Sequence, residues 1–378
     1  MSTQLYPEVL DGTTLNERQA DDLFMPIAVE GQADSGGASA ILVKHTISRP
    51  SVADTQFGAA SPLTLIVKYL LDLGVGPVVA IASAKGSAPT LIQRQAAWQI
   101  LEADKNTRIR LTDSTTDADL AALAVSCKNA ALLNNKQICI VGKAVATSKA
   151  VYLTTATTIA ADVDAAKRAV LVAPGVYDQN GVLKSGAYAA ASVAARLALN
   201  PNVSDDLDTA DLPRLTGIER DATGNDVFRS LVVSGSVVND FEDLLQGGVS
   251  PLMPGLNSGV AISHLRTTFK TDSTFDSLMT RLIVDEVFLL VREYCENFNQ
   301  LRKGNTETTR EQLRSGVDAI LRENADMLQP VTLGDGTTGY AVQVTASGDG
   351  RQQIVSYQGI VVRGVSTIVV AANLTIPA

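Results

Sequence analysis

The chain has 378 residues, of which 46% are hydrophobic and 19% charged, with a formal charge of -9 and a pI near 4.9. That is enough material for roughly two domains and too apolar for a disordered chain. The acidic balance argues against a nucleic-acid groove, which needs clustered Lys and Arg.

The N-terminus lacks the basic and apolar regions of a secretory signal, and no apolar run reaches the length of a membrane span, so a cytoplasmic protein is expected. Cys127, Cys139 and Cys295 are widely spaced and form no C-x-x-C pair, which predicts reduced, buried thiols.

Residues 1–37 are polar and rich in Gly, Ser and Gln, with apolar clusters at Leu5, Tyr6, Val9, Leu10 and from Phe24 to Val29. This composition fits an extended arm that orders on a neighbour, or equally a loose terminus. Residues 38–266 form an expected α/β domain. Strand candidates are Ala40 to Ile47, Pro77 to Ser83, Thr107 to Leu111, Gln137 to Val141 and Ala169 to Ala173. Helical stretches lie at Leu63 to Leu73, Thr90 to Ala103, Asp117 to Leu133 and within Ala144 to Lys167.

Ser185 to Leu199 is an Ala-rich helix closed by Asn200 and Pro201. Asp205 to Arg220 reads as an irregular connection, Asn239 to Leu245 as a short helix stopped at Gly247 and Gly248, and irregular structure is expected up to Thr271.

Residues 267–358 form a second expected α/β domain. Its first helix carries a capping box at Ser273 and Asp276 and an apolar row through Phe275, Met279, Ile283, Val287, Leu290, Tyr294, Phe298 and Leu301. A second helix is expected over Thr309 to Leu328, stopped by Pro330. Strand-like runs follow at Tyr340 to Thr345, Gln353 to Tyr357, Gly359 to Arg363 and Ser366 to Ala371. Overall this is α/β (α+β overall): a βα domain, a C-terminal domain of helices and a small sheet, and a C-terminal β segment over residues 359–378.

Signatures of chemistry are missing. His45 and His264 are the only histidines and have no motif partner, so both read as structural or surface residues. There is no zinc or calcium spacing, no phosphate loop and no G-x-S-x-G, so no metal, cofactor or catalytic residue is expected. Arg281, Asp285, Arg292 and Glu296 make a charged strip on the long helix, either a partner contact or a solvated face with i,i+4 pairs. Trp98 reads as core.

Several segments carry a resemblance. Val170-Leu171-Val172-Ala173-Pro174-Gly175 precedes the small-residue helix Ser185 to Leu197, which Asn200-Pro201-Asn202-Val203-Ser204 follows. Gly247-Gly248-Val249-Ser250-Pro251-Leu252 comes next, then Val260 to Thr268 with its Arg266-Thr267-Thr268 ending, then Asp272 to Asp285 and the β-rich tail from Val361 to Ile376. In this order they resemble contractile phage tail sheath proteins.

The resemblance implies a structural virion subunit, not an enzyme. It would form hexameric rings stacked in a helical lattice around a tail tube protein, with baseplate and tail terminator proteins as further partners and no nucleic acid or membrane ligand. It would be assembled in the host cytoplasm, with the virion tail sheath as its final location.

In such a lattice the terminal arms add strands to neighbouring subunits. Here that implies inter-subunit roles for Leu5, Tyr6, Val9 and Leu10, and for Ile360, Val361, Val362, Ile368, Val369, Val370 and Leu374. The domain of residues 38–266 would be the outer one and that of residues 267–358 the inner, tube-facing one, with Arg281, Asp285, Arg292 and Glu296 facing the tube. An internal edge hairpin is the alternative for Gly359 to Ala371. An α/β hydrolase or nucleotide-binding enzyme is the rival function, resting on the βα alternation alone, and another virion structural subunit is the third.

Overall fold

The computed structural model describes residues 25–200, 207, 210–233, 236–255, 259–270, 277–300, 306–325, 327–334, 337–346, 352–361 and 372–377. The chain divides into two compact units, one holding the described residues up to Lys270 and the other those from Ser277 onward.

The first unit is built on strands β1 (Ile27–Ala33), β2 (Lys44–Ile47), β3 (Val78–Lys85), β4 (Ile109–Thr112), β5 (Ile138–Gly142) and β6 (Ala169–Ala173). They are followed by β7 (Val176–Asp178), β8 (Leu183–Lys184), β9 (Asp211–Leu212), β10 (Leu215–Ile218), β11 (Ser230–Val233), β12 (Ser236–Asn239), β13 (Ser250–Pro254) and β14 (Val260–Ile262). Nine of these make one sheet in the order β2-β3-β1-β4-β5-β6-β13-β14-β9. The run from β3 to β13 is parallel, and β2, β14 and β9 join antiparallel at the two sides.

Its helices are α1 (Pro50–Phe57), α2 (Pro62–Asp72), α3 (Leu91–Glu102), α4 (Asp117–Leu132), α5 (Lys149–Ile159), α6 (Val163–Ala166), α7 (Gly186–Ala198) and α8 (Asp240–Gln246). Local chemistry sets their starts. Ser61 accepts the Thr64 amide ahead of Pro62 in α2, and Thr90 and Gln93 form a reciprocal capping box on α3. Strand side chains alternate between faces. Cys139 and Val141 of β5 enter a core with Trp98, Leu123, Cys127 and Tyr152 from α3, α4 and α5. The opposite face of β5 meets α7, whose start touches Gly142.

Three expectations change here. Residues 27–33, assigned to an extended arm, form β1 in the middle of the sheet, between β3 and β4. The strand expected from Ala40 starts only at Lys44, because Leu42 sits at φ 62, in the left-handed region that ends a strand. The expected irregular stretch up to Thr271 also contains β9, β10, β13 and β14.

The second unit contains α9 (Leu278–Gln300), α10 (Glu307–Glu323), β15 (Leu328–Gln329), β16 (Val331–Thr332), β17 (Thr338–Gly339), β18 (Gln343–Ala346), β19 (Gln352–Tyr357), β20 (Ile360–Val361) and β21 (Ala372–Pro377). The buried row of α9 runs Met279, Ile283, Val287, Val291, Cys295, a steady i,i+4 line. Leu290, Tyr294 and Phe298, expected on that row, are only half-buried beside it. Ser273, Phe275, Asp276 and Leu301 lie outside the described residues.

α10 is capped by Thr306 and ends at Glu323, earlier than Leu328, because the Asn324 side-chain amide donates to the Ile320 carbonyl at 2.8 Å and closes the last turn. Leu328 instead enters β15 and the core with Ile283, Leu313, Val317, Val355 and Tyr357.

Candidate functional site

In an open α/β sheet the ligand crevice lies beyond the carboxyl ends of the strands, where strand order reverses. The chain moves from β1 to β3 on one side and returns to β4 on the other, so the reversal falls between β1 and β4. Glu30 and Gly31 of β1 and Thr112 and Asp113 at the end of β4 stand there, with Arg94 reaching in from α3.

This crevice is occupied by the chain's own side chains. One Arg94 terminal nitrogen donates to both Glu30 oxygens at 2.9 Å and to Asp113 Oδ1 at 2.7 Å, and Arg94 Nε lies 3.2 Å from Asp119 Oδ2. Thr112 Oγ1 donates to Glu30 at 2.8 Å, and the Ser83 hydroxyl donates to the other Glu30 oxygen. The second Asp113 oxygen accepts the Gln32 amide at 2.7 Å, and a β-carbon on Gly31 would come within 2.7 Å of that same oxygen.

Glu30 is 0% exposed. Burial pushes its carboxyl above the usual value, Arg94 pulls it back, and Asp113 pushes it up again. Burial opposes the charge on Arg94, but Glu30 and then Asp113 outweigh it and hold the guanidinium more firmly protonated. The Glu30 and Asp113 carboxylates and the Ser83 and Thr112 hydroxyls are tied to one another or to Arg94, and the buried Arg94 Nε is the one atom of the group left without a hydrogen bond. Sequence reasoning missed this network; its one visible signal is a carboxylate and an amide, Glu30 and Gln32, inside the strand that begins Ile27-Ala28-Val29.

The expected site residues fare differently. Leu5, Tyr6, Val9, Leu10, Val362, Ile368, Val369 and Val370 lie outside the described residues. Ile360 and Val361 form β20, antiparallel to β15 with Val361 opposite Leu328. Leu374 lies in β21 opposite Val355 of β19, completing a sheet of order β18-β19-β21. Both described segments of the expected C-terminal arm are thus paired with strands of their own chain.

On α9 the charged strip divides. Asp285 is 1% exposed and takes the Arg281 guanidinium, so the expectation that Asp285 faces a tube is corrected: its carboxylate is buried and neutralised by its own helix. Arg292 donates to Glu296 at 2.6 Å, and Glu296 is exposed. His45 meets Ser39 Oγ at 2.8 Å and packs edge-on against Phe57, a structural placement. Trp98 is core, and all three cysteines are free and buried. Among the described residues no cluster of metal-ligating side chains occurs, and no helix is long and apolar enough to cross a membrane.

No family profile matches the sequence, and no curated protein sequence matches it. Solved structures do match along nearly the whole chain. A sheath tail protein from Desulfitobacterium hafniense superposes with a TM-score of 0.66 at 10% identity, covering 93% of this chain and 97% of that one. A sheath tail protein from Listeria innocua gives a TM-score of 0.67 at 11% identity, covering 95% and 98%. A chain from the helical sheath of the anti-feeding prophage in its contracted state gives 0.63 at 12% identity, covering 92% of each. The fold of this chain, from the parallel sheet to the C-terminal helices and small sheet, is that of the sheath proteins of contractile tails.

Proposed function

We propose that the protein is the structural subunit of a contractile tail sheath. It polymerises as stacked hexameric rings around a tail tube, is linked to its neighbours by strands from its terminal segments, and contracts to drive the tube through a host envelope. The sheath meets a baseplate at one end and a terminator at the other. It is assembled in the host cytoplasm and remains on the particle's tail. The observation that carries this reading is the end-to-end likeness to sheath chains, including one from a contracted sheath. The occupied crevice between β1 and β4 supports a non-enzymatic role, because the place where this sheet wiring would hold a substrate is filled by Arg94 and Asp113.

Strand addition supplies main-chain hydrogen bonds that survive a change of lattice, so contraction needs no fuel beyond a metastable starting state. Arg292 and Glu296 are the tube-facing candidates left on α9.

Negative-stain electron microscopy of the purified full-length protein beside a truncation ending at Gln358 tests the proposal. Hollow cylinders from the full-length protein and none from the truncation are expected. Monodisperse particles from both, with and without added tail tube, would reject the sheath assignment.

A further inference from the structure

The C-terminal strand takes up an edge that an assembling subunit would need. β21 pairs with β19 along its entire length, from Gln352 opposite Pro377 to Tyr357 opposite Ala372. The other side of β19 is held by β18, from Gln343 opposite Ser356 to Ala346 opposite Gln353. Both sides of β19 are therefore filled by the chain itself.

β19 is fixed in place, since Val355 and Tyr357 are buried in the core of this unit. The chain is pinned again just after it, where β20 pairs with β15. Ten residues, 362–371, then separate Val361 from Ala372. A stretch of that length spans up to about 35 Å when extended, so the same strand can serve its own β19 or the β19 of a second copy. A two-stranded β18-β19 hairpin is marginal alone and exposes an unpaired edge, which favours having a third strand present at all times.

We infer that the unassembled subunit is closed on itself: Ala372–Pro377 occupies its own β19 and must leave before that edge can receive the same strand from another copy. The inference rests on the sheath reading above and adds a control to it. Exchange replaces one set of main-chain bonds by an identical set, so the paired strand sets a barrier while the lattice contacts set the direction. A free subunit thereby hides its stickiest edge until another copy offers an alternative.

The test uses the full chain carrying Ser356→Cys and Asn373→Cys, which stand directly opposite each other in the β19-β21 register. Oxidised glutathione is added to dilute protein, and the cross-link is located by peptide mass spectrometry. The expected result is an intramolecular disulfide in the monomer, loss of pelletable polymer in the oxidised protein, and recovery of polymer on reduction. No cross-link in the monomer, or equal polymerisation of oxidised and reduced protein, overturns the inference. If the reduced variant and the unmodified protein both fail to polymerise even with tail tube, the sheath reading fails and the proposed control falls with it. The cross-link yield then still decides whether β21 lies on β19.

Discussion

Gly142 at the end of β5 and Gly186 at the start of α7 meet backbone to backbone: a β-carbon on Gly142 would lie 2.1 Å from the Gly186 carbonyl oxygen. One on Gly186 would lie 2.5 Å from the Lys143 nitrogen, and the Gly186 amide donates to the Lys143 carbonyl at 2.7 Å. The Ala-rich helix follows from this approach. Ala189, Ala190, Ala191, Ala194, Ala195 and Ala198 are all buried, because small side chains let the helix axis stay close to the sheet. Gly186→Ala should destabilise the first unit by about 1–3 kcal/mol, since both neighbours are backbone and cannot move aside. Urea denaturation followed by circular dichroism measures it, and an unchanged midpoint would mean that the contact relaxes.

Arg94 holds three acidic side chains in one buried network. Arg94→Met keeps the length of the side chain and removes the charge, leaving Glu30, Asp113 and Asp119 facing one another. Removing one partner of a buried ion pair costs about 3–5 kcal/mol. We expect a loss of that size at neutral pH in chemical denaturation, and an unchanged midpoint would mean that the three carboxylates are held apart without Arg94.

Glu30 gives a pH dependence of defined sign. Its folded pKa is raised above the ordinary value of 4.5 by burial, against the pull of Arg94. The stability it contributes is therefore fully present below its unfolded pKa and is lost as pH rises through the folded value. Glu30→Gln removes that titration. The stability of the unmodified protein relative to the variant should fall as pH rises from about 4 toward neutrality. Denaturation curves at a series of pH values check this, and parallel profiles for the two proteins would rule it out.

Arg292 and Glu296 form an i,i+4 pair on α9 with Glu296 exposed. Swapping them, with Arg292→Glu and Glu296→Arg together, keeps a pair and inverts the local charge pattern. Stability should change by no more than about 0.5 kcal/mol, as for most exposed pairs. Co-sedimentation with tail tube should drop if this strip grips the tube. Undiminished attachment would place the contact elsewhere.

Local signals were enough for most elements. The helix starting at Thr90, the Ala run before Asn200 and the apolar β-branched strand Ala169–Ala173 all appear where the sequence predicts them. β1 was not legible as a core strand. The buried charge of Glu30 is compensated by Arg94, 64 positions further along the chain, and the strand's end is held where Asp113 accepts the Gln32 backbone amide across 81 positions. On α9 the apolar stripe was visible, but whether Leu290 and Tyr294 or Val291 and Cys295 turned to the core was not, because neighbouring rows of a broad stripe are equally apolar.

The sequence by itself determined the alternation of strands and helices, the sheath-like order of its motifs and the lack of catalytic signatures, since these depend on composition and on spacing within a few turns. Only the tertiary structure decided that the crevice between β1 and β4 is filled, that Asp285 is buried beside Arg281, and that Ala372–Pro377 pairs with β19. Each of these joins groups through packing or strand pairing. Periodicity can place a residue on a face, but only the folded chain fixes what that face meets.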